Sequence, residues 1–179
     1  MGLSKSSKKW LNRQRKDPYV LAAKKQGLRS RAAFKIRQIQ ERYNIVQPGM
    51  HILELGAAPG GWTTELSQWV GSNGQVVAID RLPMSAPANV EVIEDDIESE
   101  TMQAWLQTKQ RCFDIVLSDM SPNMCGHKKT DQLRASGLCE FTLAIAEDVL
   151  VDQGALVMRR FRVLALQSCS SSCVIVLPR

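Results

Sequence analysis

The chain has 179 residues, of which 44% are hydrophobic and 23% charged, with a net charge of +5. That is enough for one domain with a substantial core. No run of 18 apolar residues is present, so a membrane-spanning helix is not expected, and the basic N-terminus lacks the apolar stretch of a signal peptide. Five cysteines without paired C-x-x-C spacing fit a reducing cytoplasm better than a disulfide framework, and Cys169 and Cys173 have no second pair with which to hold zinc, so no metal is expected.

The charge is unevenly distributed. Residues 1–37 contain twelve Lys and Arg against one acid, Asp17, while the remainder is net acidic. A basic arm on an acidic body implies a polyanionic partner, with a solvated tail as the plainer alternative. Residues 1–16 read as the flexible arm, 17–161 as the domain and 162–179 as an atypical tail. Asp17-Pro18 has the form of an N-cap and first helical residue, which predicts a helix over about 18–25 that Gly27 interrupts. Ser30 can cap a second helix over about 31–43, with Ala32, Ile36, Ile39 and Tyr43 as its apolar stripe. Lys35 lies on the flank of that stripe, where its stem can pack and its ammonium reach sideways. From there apolar strands and amphipathic helices alternate. Strands are predicted over 50–55, 75–80, 90–94, 113–118 and 155–161. Helices are predicted over 62–70, in a short segment capped by Ser99 and carrying Met102, Trp105 and Leu106, and near 132–150 with Leu138, Phe141, Ile145 and Val149 on its inner face. The alternation predicts an α/β fold: a Rossmann-like, doubly wound, mostly parallel sheet with helices on both faces.

The segment with most chemistry is Glu54-Leu55-Gly56-Ala57-Ala58-Pro59-Gly60-Gly61-Trp62, between a buried strand and a helix start. Glycines there let a ligand approach the backbone. Asp80 follows at the end of the next strand, at the distance at which an acid grips ribose hydroxyls. Neither G-x-G-x-x-G nor the P-loop pattern is present, and the turn has no lysine for a phosphate. A nucleoside cofactor is indicated, pointing towards S-adenosylmethionine. Asp80, Asp96 and Asp119 each stand at a predicted strand's C-terminal end, the edge at which open α/β sheets bind ligands.

Four collinear blocks now resemble one family. They are Gly27-Leu28-Arg29-Ser30-Arg31-Ala32-Ala33-Phe34-Lys35, then Leu55 to Trp62, then Asp80-Arg81-Leu82-Pro83-Met84, then Leu117-Ser118-Asp119-Met120-Ser121-Pro122-Asn123. Together they resemble the FtsJ/RrmJ-type ribosomal RNA 2′-O-methyltransferases, the bacterial branch acting on 23S rRNA, over roughly residues 10–158. The resemblance implies an S-adenosylmethionine-dependent methyltransferase fold, methyl transfer to a ribose 2′-OH, and the large ribosomal subunit as partner; a monomer fits a small catalytic domain, and no membrane is expected. It also implies roles. Gly60 and Trp62 would bound the cofactor's methionine end, Asp80 its ribose and Asp96 its adenine. Asp119 would lie beside the transferring methyl, and Lys35 with Asp119 would supply two members of a catalytic Lys–Asp–Lys–Glu set.

The other two members are not matched. The family's base lysine falls in strand five, where this chain reads Leu156-Val157-Met158-Arg159-Arg160-Phe161, with Arg159 at the lysine position. Arginine stays protonated and cannot act as that base. No acid follows Asp152, and residues 162–179 have no familial look. The family's last helix and closing strands are expected to be missing or altered, through a frameshift or early end after about Met158 or through divergence. A catalytically impaired relative that binds only cofactor or RNA is therefore the alternative function. A small-molecule methyltransferase is disfavoured by the basic arm.

Overall fold

The computed structural model describes residues 32–122, 124–159 and 173–177; for Arg159 and residues 173–177 the description is of the backbone. The expected arm, the helix over 18–25, the Ser30 cap and most of the tail lie outside the described residues. The described residues hold four helices and six strands, in the order α1 Ala32–Tyr43, β1 His51–Leu55, α2 Gly61–Val70, β2 Gln75–Asp80, β3 Val90–Glu94, α3 Glu100–Gln107, β4 Phe113–Ser118, α4 Lys128–Val149, β5 Leu150–Arg159 and β6 Cys173–Leu177.

The strands form one sheet in the order β3-β2-β1-β4-β5-β6, and every neighbouring pair is parallel. The doubly wound expectation holds. The tail also contributes: β6 pairs with β5 from Ala155↔Cys173 to Arg159↔Leu177. Chain order reverses at β1, whose neighbours are β2 and β4. A crevice opens there, because the loops leaving the C-terminal ends of β1 and β4 run to opposite faces.

Alternate strand residues feed two cores. Leu53, Leu55, Val77, Ile79 and Val116 face α3 and α4, whereas Ile52, Val76, Ile115, Leu117 and Val157 face α1 and α2. This is the period-2 alternation of a sheet covered on both sides. On α1 the stripe is Ala33, Ile36 and Ile39, while Tyr43, expected on it, is 49% exposed and lies under the Arg42 guanidinium. Helix α3 starts as expected, with the Ser99 Oγ accepting from Met102 N at 3.0 Å. Helix α4 departs from expectation in two ways. It begins about a turn early, at Lys128, because Asp131 in its first turn folds back to accept from Cys125 N at 2.8 Å and Gly126 N at 3.0 Å. Its buried face is Ala135, Cys139, Thr142, Ile145, Ala146 and Val149. Small and neutral residues keep the 3.6 spacing, so Leu138 turns elsewhere. Strand β5 begins at Leu150, with an irregularity in its pairing before Ala155.

Candidate functional site

The glycine turn is held open by its own backbone. Gly56 N and Ala57 N both donate to Ile79 O, at 2.9 and 3.2 Å, which pins the turn over the end of β2. Gly56 has φ +75, and a Cβ there would stand 2.6 Å from Met120 Cγ. Only glycine fits, because the next loop crosses directly above it. Gly60 (φ 88) precedes the first residue of α2. The 58–59 peptide is cis.

Beside this turn lies a cavity of about 610 Å³ at the C-terminal edge of the sheet. Among the described residues, its walls come from Gly56, from Asp80 and Arg81 after β2, from Asp95, Asp96 and Glu98 after β3, from Asp119 to Pro122 after β4, and from Arg134, Gly137 and Leu138 of α4. Leu138, expected in the core, is part of this wall. The three strand-end acids named from the sequence are thus brought to one cavity.

Each acid is held differently. Asp80 accepts Ala58 N on Oδ2 and Leu82 N on Oδ1, both at 2.9 Å. These bonds tie the strand end to the glycine turn, and each carboxylate oxygen keeps a lone pair for a hydroxyl. Asp96 accepts Glu98 N at 3.0 Å and faces Arg81 Nη1 at 3.5 Å. Asp119 meets Lys35: Nζ lies 3.6 Å from Oδ1, with the two side chains 29% and 21% exposed. Lys35 comes from α1 and Asp119 from the loop after β4; Asp119 lines the cavity, and Lys35 reaches it from behind without being one of the lining residues.

Gly60 and Trp62 are not among the lining residues. Trp62 is buried against α1, and its indole Nε1 donates to Ala32 O at 2.8 Å. The ring thus joins α1 to α2 behind the cavity. Apolar packing explains this: an indole in the first turn of an inward-facing helix is worth more in the core than at a wet edge.

Two features were not read from the sequence. Glu54 is 3% exposed in the middle of the sheet, and its Oε2 accepts from Thr63 Oγ1 at 2.7 Å. Burial pushes its pKa up to about 8, the Thr63 hydrogen bond opposes that shift, and the Asp119 and Asp80 charges add to it. An acid inside the apolar run 52–55 was the available signal. The second feature is the pair Arg37–Glu65, which joins α1 to α2 by two hydrogen bonds of 2.6 and 2.9 Å. Nothing in local spacing announces a contact between residues so far apart in sequence. No group of three or more metal-ligating side chains is present among the described residues.

The cavity suits a nucleoside cofactor on its own evidence: a glycine with no room for a Cβ, the Asp80 carboxylate tied to that glycine's turn with lone pairs left for hydroxyls, and further acids to meet positive or hydroxyl-bearing groups.

Comparison with known proteins agrees with that chemistry. A profile of the FtsJ-like methyltransferases matches residues 28–173, which carries the likeness past Met158. The chain is 43% identical over 162 residues to the ribosomal RNA large subunit methyltransferase E of Acidithiobacillus ferrooxidans, covering 90% of this chain and 74% of that one. It is also 43% identical to the enzyme of the same name from Acinetobacter baumannii, over 89% of this chain and 75% of that one. A crystal structure from Plasmodium falciparum, assigned as a ribosomal RNA methyltransferase, superposes with a TM-score of 0.60 at 27% identity, covering 70% of this chain and 74% of that one. With four sequence blocks in order, the glycine turn locked over β2 and the Lys35–Asp119 contact behind the cavity, the chain belongs to the FtsJ-like methyltransferase family.

Proposed function

We propose that the chain acts on 23S rRNA in the large ribosomal subunit, as an S-adenosylmethionine-dependent ribose 2′-O-methyltransferase. The observation that carries this reading is the Lys35 Nζ–Asp119 Oδ1 contact of 3.6 Å at the cavity of the glycine turn. Asp80 would hold the cofactor's ribose and Asp96 its adenine, with Gly56 and Gly60 leaving room along the turn. Bound there, the cofactor supplies an electrophilic methyl group on a sulfonium.

The rest falls to the chain's own side chains. A ribose 2′-OH is a poor nucleophile while protonated. Lys35 Nζ donates to the 2′ oxygen and stabilises the charge that develops on it, Asp119 orients both the ammonium and the hydroxyl, and the hydroxyl proton leaves to water as the oxygen–methyl bond forms and the methyl–sulfur bond breaks. Orientation of this kind is worth several powers of ten. The basic arm, residues 1–16, supplies phosphate contacts. The protein works as a monomer in the cytoplasm, and no described helix is long and apolar enough to cross a membrane.

One observation favours a second reading, an impaired relative that binds cofactor and RNA. Arg159 ends β5 one step beyond the Ser118↔Met158 pair, at the level of Asp119. An arginine there cannot take a proton from the hydroxyl.

Tritiated methyl incorporation into undermethylated large subunits separates the two. Transfer at least about 10²-fold below a complete family member is expected, the low end for a lost general base. Asp119→Ala or Lys35→Ala removes what remains. Titration calorimetry should show S-adenosylmethionine binding. Tighter binding of NAD would sink the cofactor assignment, and full transfer by the chain as it stands would refute the role given to the lysine position at 159.

A further inference from the structure

We infer that Arg37 and Glu65 are positioning residues: their ion pair fixes the rotation of α1 and so sets Lys35 against Asp119. The inference rests on the catalytic reading of Lys35 given above.

Helix α1 lies on the sheet and on α2 through Ala33, Ile36 and Ile39. Successive helical residues are about 100° apart around the axis. Ile36 points inward and is fully buried. Lys35 and Arg37 therefore project from the two opposite flanks of the buried stripe. One flank reaches Asp119 and the other reaches Glu65.

Apolar packing alone does not hold such a helix to one rotation. Contacts between aliphatic side chains are non-directional, so they resist a small roll about the helix axis only weakly. The Lys35 ammonium stands about 8 Å from the helix axis, taking the Cα radius of 2.3 Å plus the side chain, so a turn of about 20° moves it by about 3 Å. That is comparable with the whole Lys35–Asp119 separation of 3.6 Å.

The Arg37–Glu65 pair is directional. Arg37 Nε donates to Glu65 Oε2 at 2.6 Å, and Nη2 donates to Oε1 at 2.9 Å. A fork of two parallel bonds fixes orientation as well as distance. Glu65 is 3% exposed, so its carboxylate has no ready exchange with water. Trp62 Nε1 holds Ala32 O at the head of the same helix, one turn before Ile36. Two directional contacts, one at each side of Lys35 in sequence, leave α1 little freedom to roll.

Zero-length carbodiimide coupling followed by mass spectrometry tests this on the full chain. The unsubstituted protein should give a Lys35–Asp119 amide. Arg37→Leu should lower its yield at least about fivefold, and Arg37→Lys, which keeps the charge but not the fork, should fall between. Arg37→Leu leaves a buried carboxylate alone, a change large enough to unfold a marginal domain. The double variant Arg37→Leu/Glu65→Leu avoids this, since an apolar pair commonly replaces a buried ion pair without loss of stability. It should melt at or above the parent temperature and still lose the cross-link. Retention of the parent yield in the folded double variant overturns the inference, as does absence of the amide in the unsubstituted chain. The readout does not use methyl transfer, so an inactive chain still decides the question.

Discussion

Replacing Gly56 with alanine tests the crossing of the loops that follow β1 and β4. The new Cβ would meet Met120 Cγ at 2.6 Å and Met120 Cα and N at 3.3 Å, and residue 56 would keep φ near +75. The backbone conformation costs an L-residue about 1–2 kcal/mol. Forcing a methyl into a filled space costs about 1–3 kcal/mol more. The sum, about 2–5 kcal/mol, is a large share of a domain's usual 5–15 kcal/mol. With a urea slope of about 2 kcal/mol per molar, the unfolding midpoint should drop by about 1–2.5 M. Gly49→Ala is the matched control. Gly49 has φ +86 but nothing within 4 Å of its Cβ position, so it should show only the backbone part. The difference between the two variants isolates the contact with Met120. Because two of the three neighbours are main-chain atoms, Met120 must yield by moving its backbone, and Asp119 moves with it. S-adenosylmethionine binding by titration calorimetry should therefore weaken in Gly56→Ala and not in Gly49→Ala. Equal midpoints for the two variants, with unchanged binding in both, would refute the loop crossing.

Other outcomes follow from the same geometry. Glu54 is protonated in the fold up to a pKa of about 8 and in the unfolded chain only up to the ordinary glutamate value of 4.5. The folded state thus holds the extra proton between those values, and stability falls as pH rises through that window, by at most about 1.4 kcal/mol per pH unit. Glu54→Gln should flatten the dependence, so the variant gains on the parent from pH 4.5 to 8 in urea melts; parallel curves would mean that Glu54 is charged in the fold. Asn89 takes Ser67 O at 3.0 Å and Gly71 O at 3.1 Å at the end of α2 and accepts from Ser67 Oγ. Asn89→Ala should cost about 1–3 kcal/mol and speed amide exchange in the last turn of that helix, measured by hydrogen-exchange mass spectrometry. Replacing Lys8, Lys9, Arg13 and Arg15 together with glutamine should flatten the salt dependence of RNA binding, read by filter binding at several salt concentrations. An unchanged slope would show that the arm does not touch phosphates.

How far the sequence reveals the molecule depends on the range of the signal. Strands 75–80 and 113–118 were legible to the residue because a buried parallel strand is a short apolar run closed by an acid or a turn, and 90–94, at the sheet's β3 end, through its Val and Ile interleaved with Glu. The Ser99 cap was legible because capping is local. The inner face of α4 was not, since Ala135, Cys139 and Thr142 carry little hydrophobic signal and bury well only because the sheet lies close. Site residues divide the same way. Asp80, Asp96 and Asp119 stand at strand ends, so topology alone carries them to one edge. The resemblance implies a place for Trp62 at the cofactor's methionine end, whereas the first turn of α2 points its ring into the core. Arg37–Glu65 depends on how α1 crosses α2, which no local pattern encodes.

The open edge beyond β5 has its own consequence for handling the protein. Strand β6, Cys173-Val174-Ile175-Val176-Leu177, pairs on one side only among the described residues. Its five residues carry no charge and no proline. Natural sheets usually blunt such an edge with lysine, proline or a bulge, and an edge without these is a template for the strand of another molecule. Short, uncharged, β-branched segments are also the ones that stack into fibrils once several chains meet. If nothing else of the chain covers this strand, a lysine at the middle of the segment is the smallest change that would guard it against pairing with another molecule.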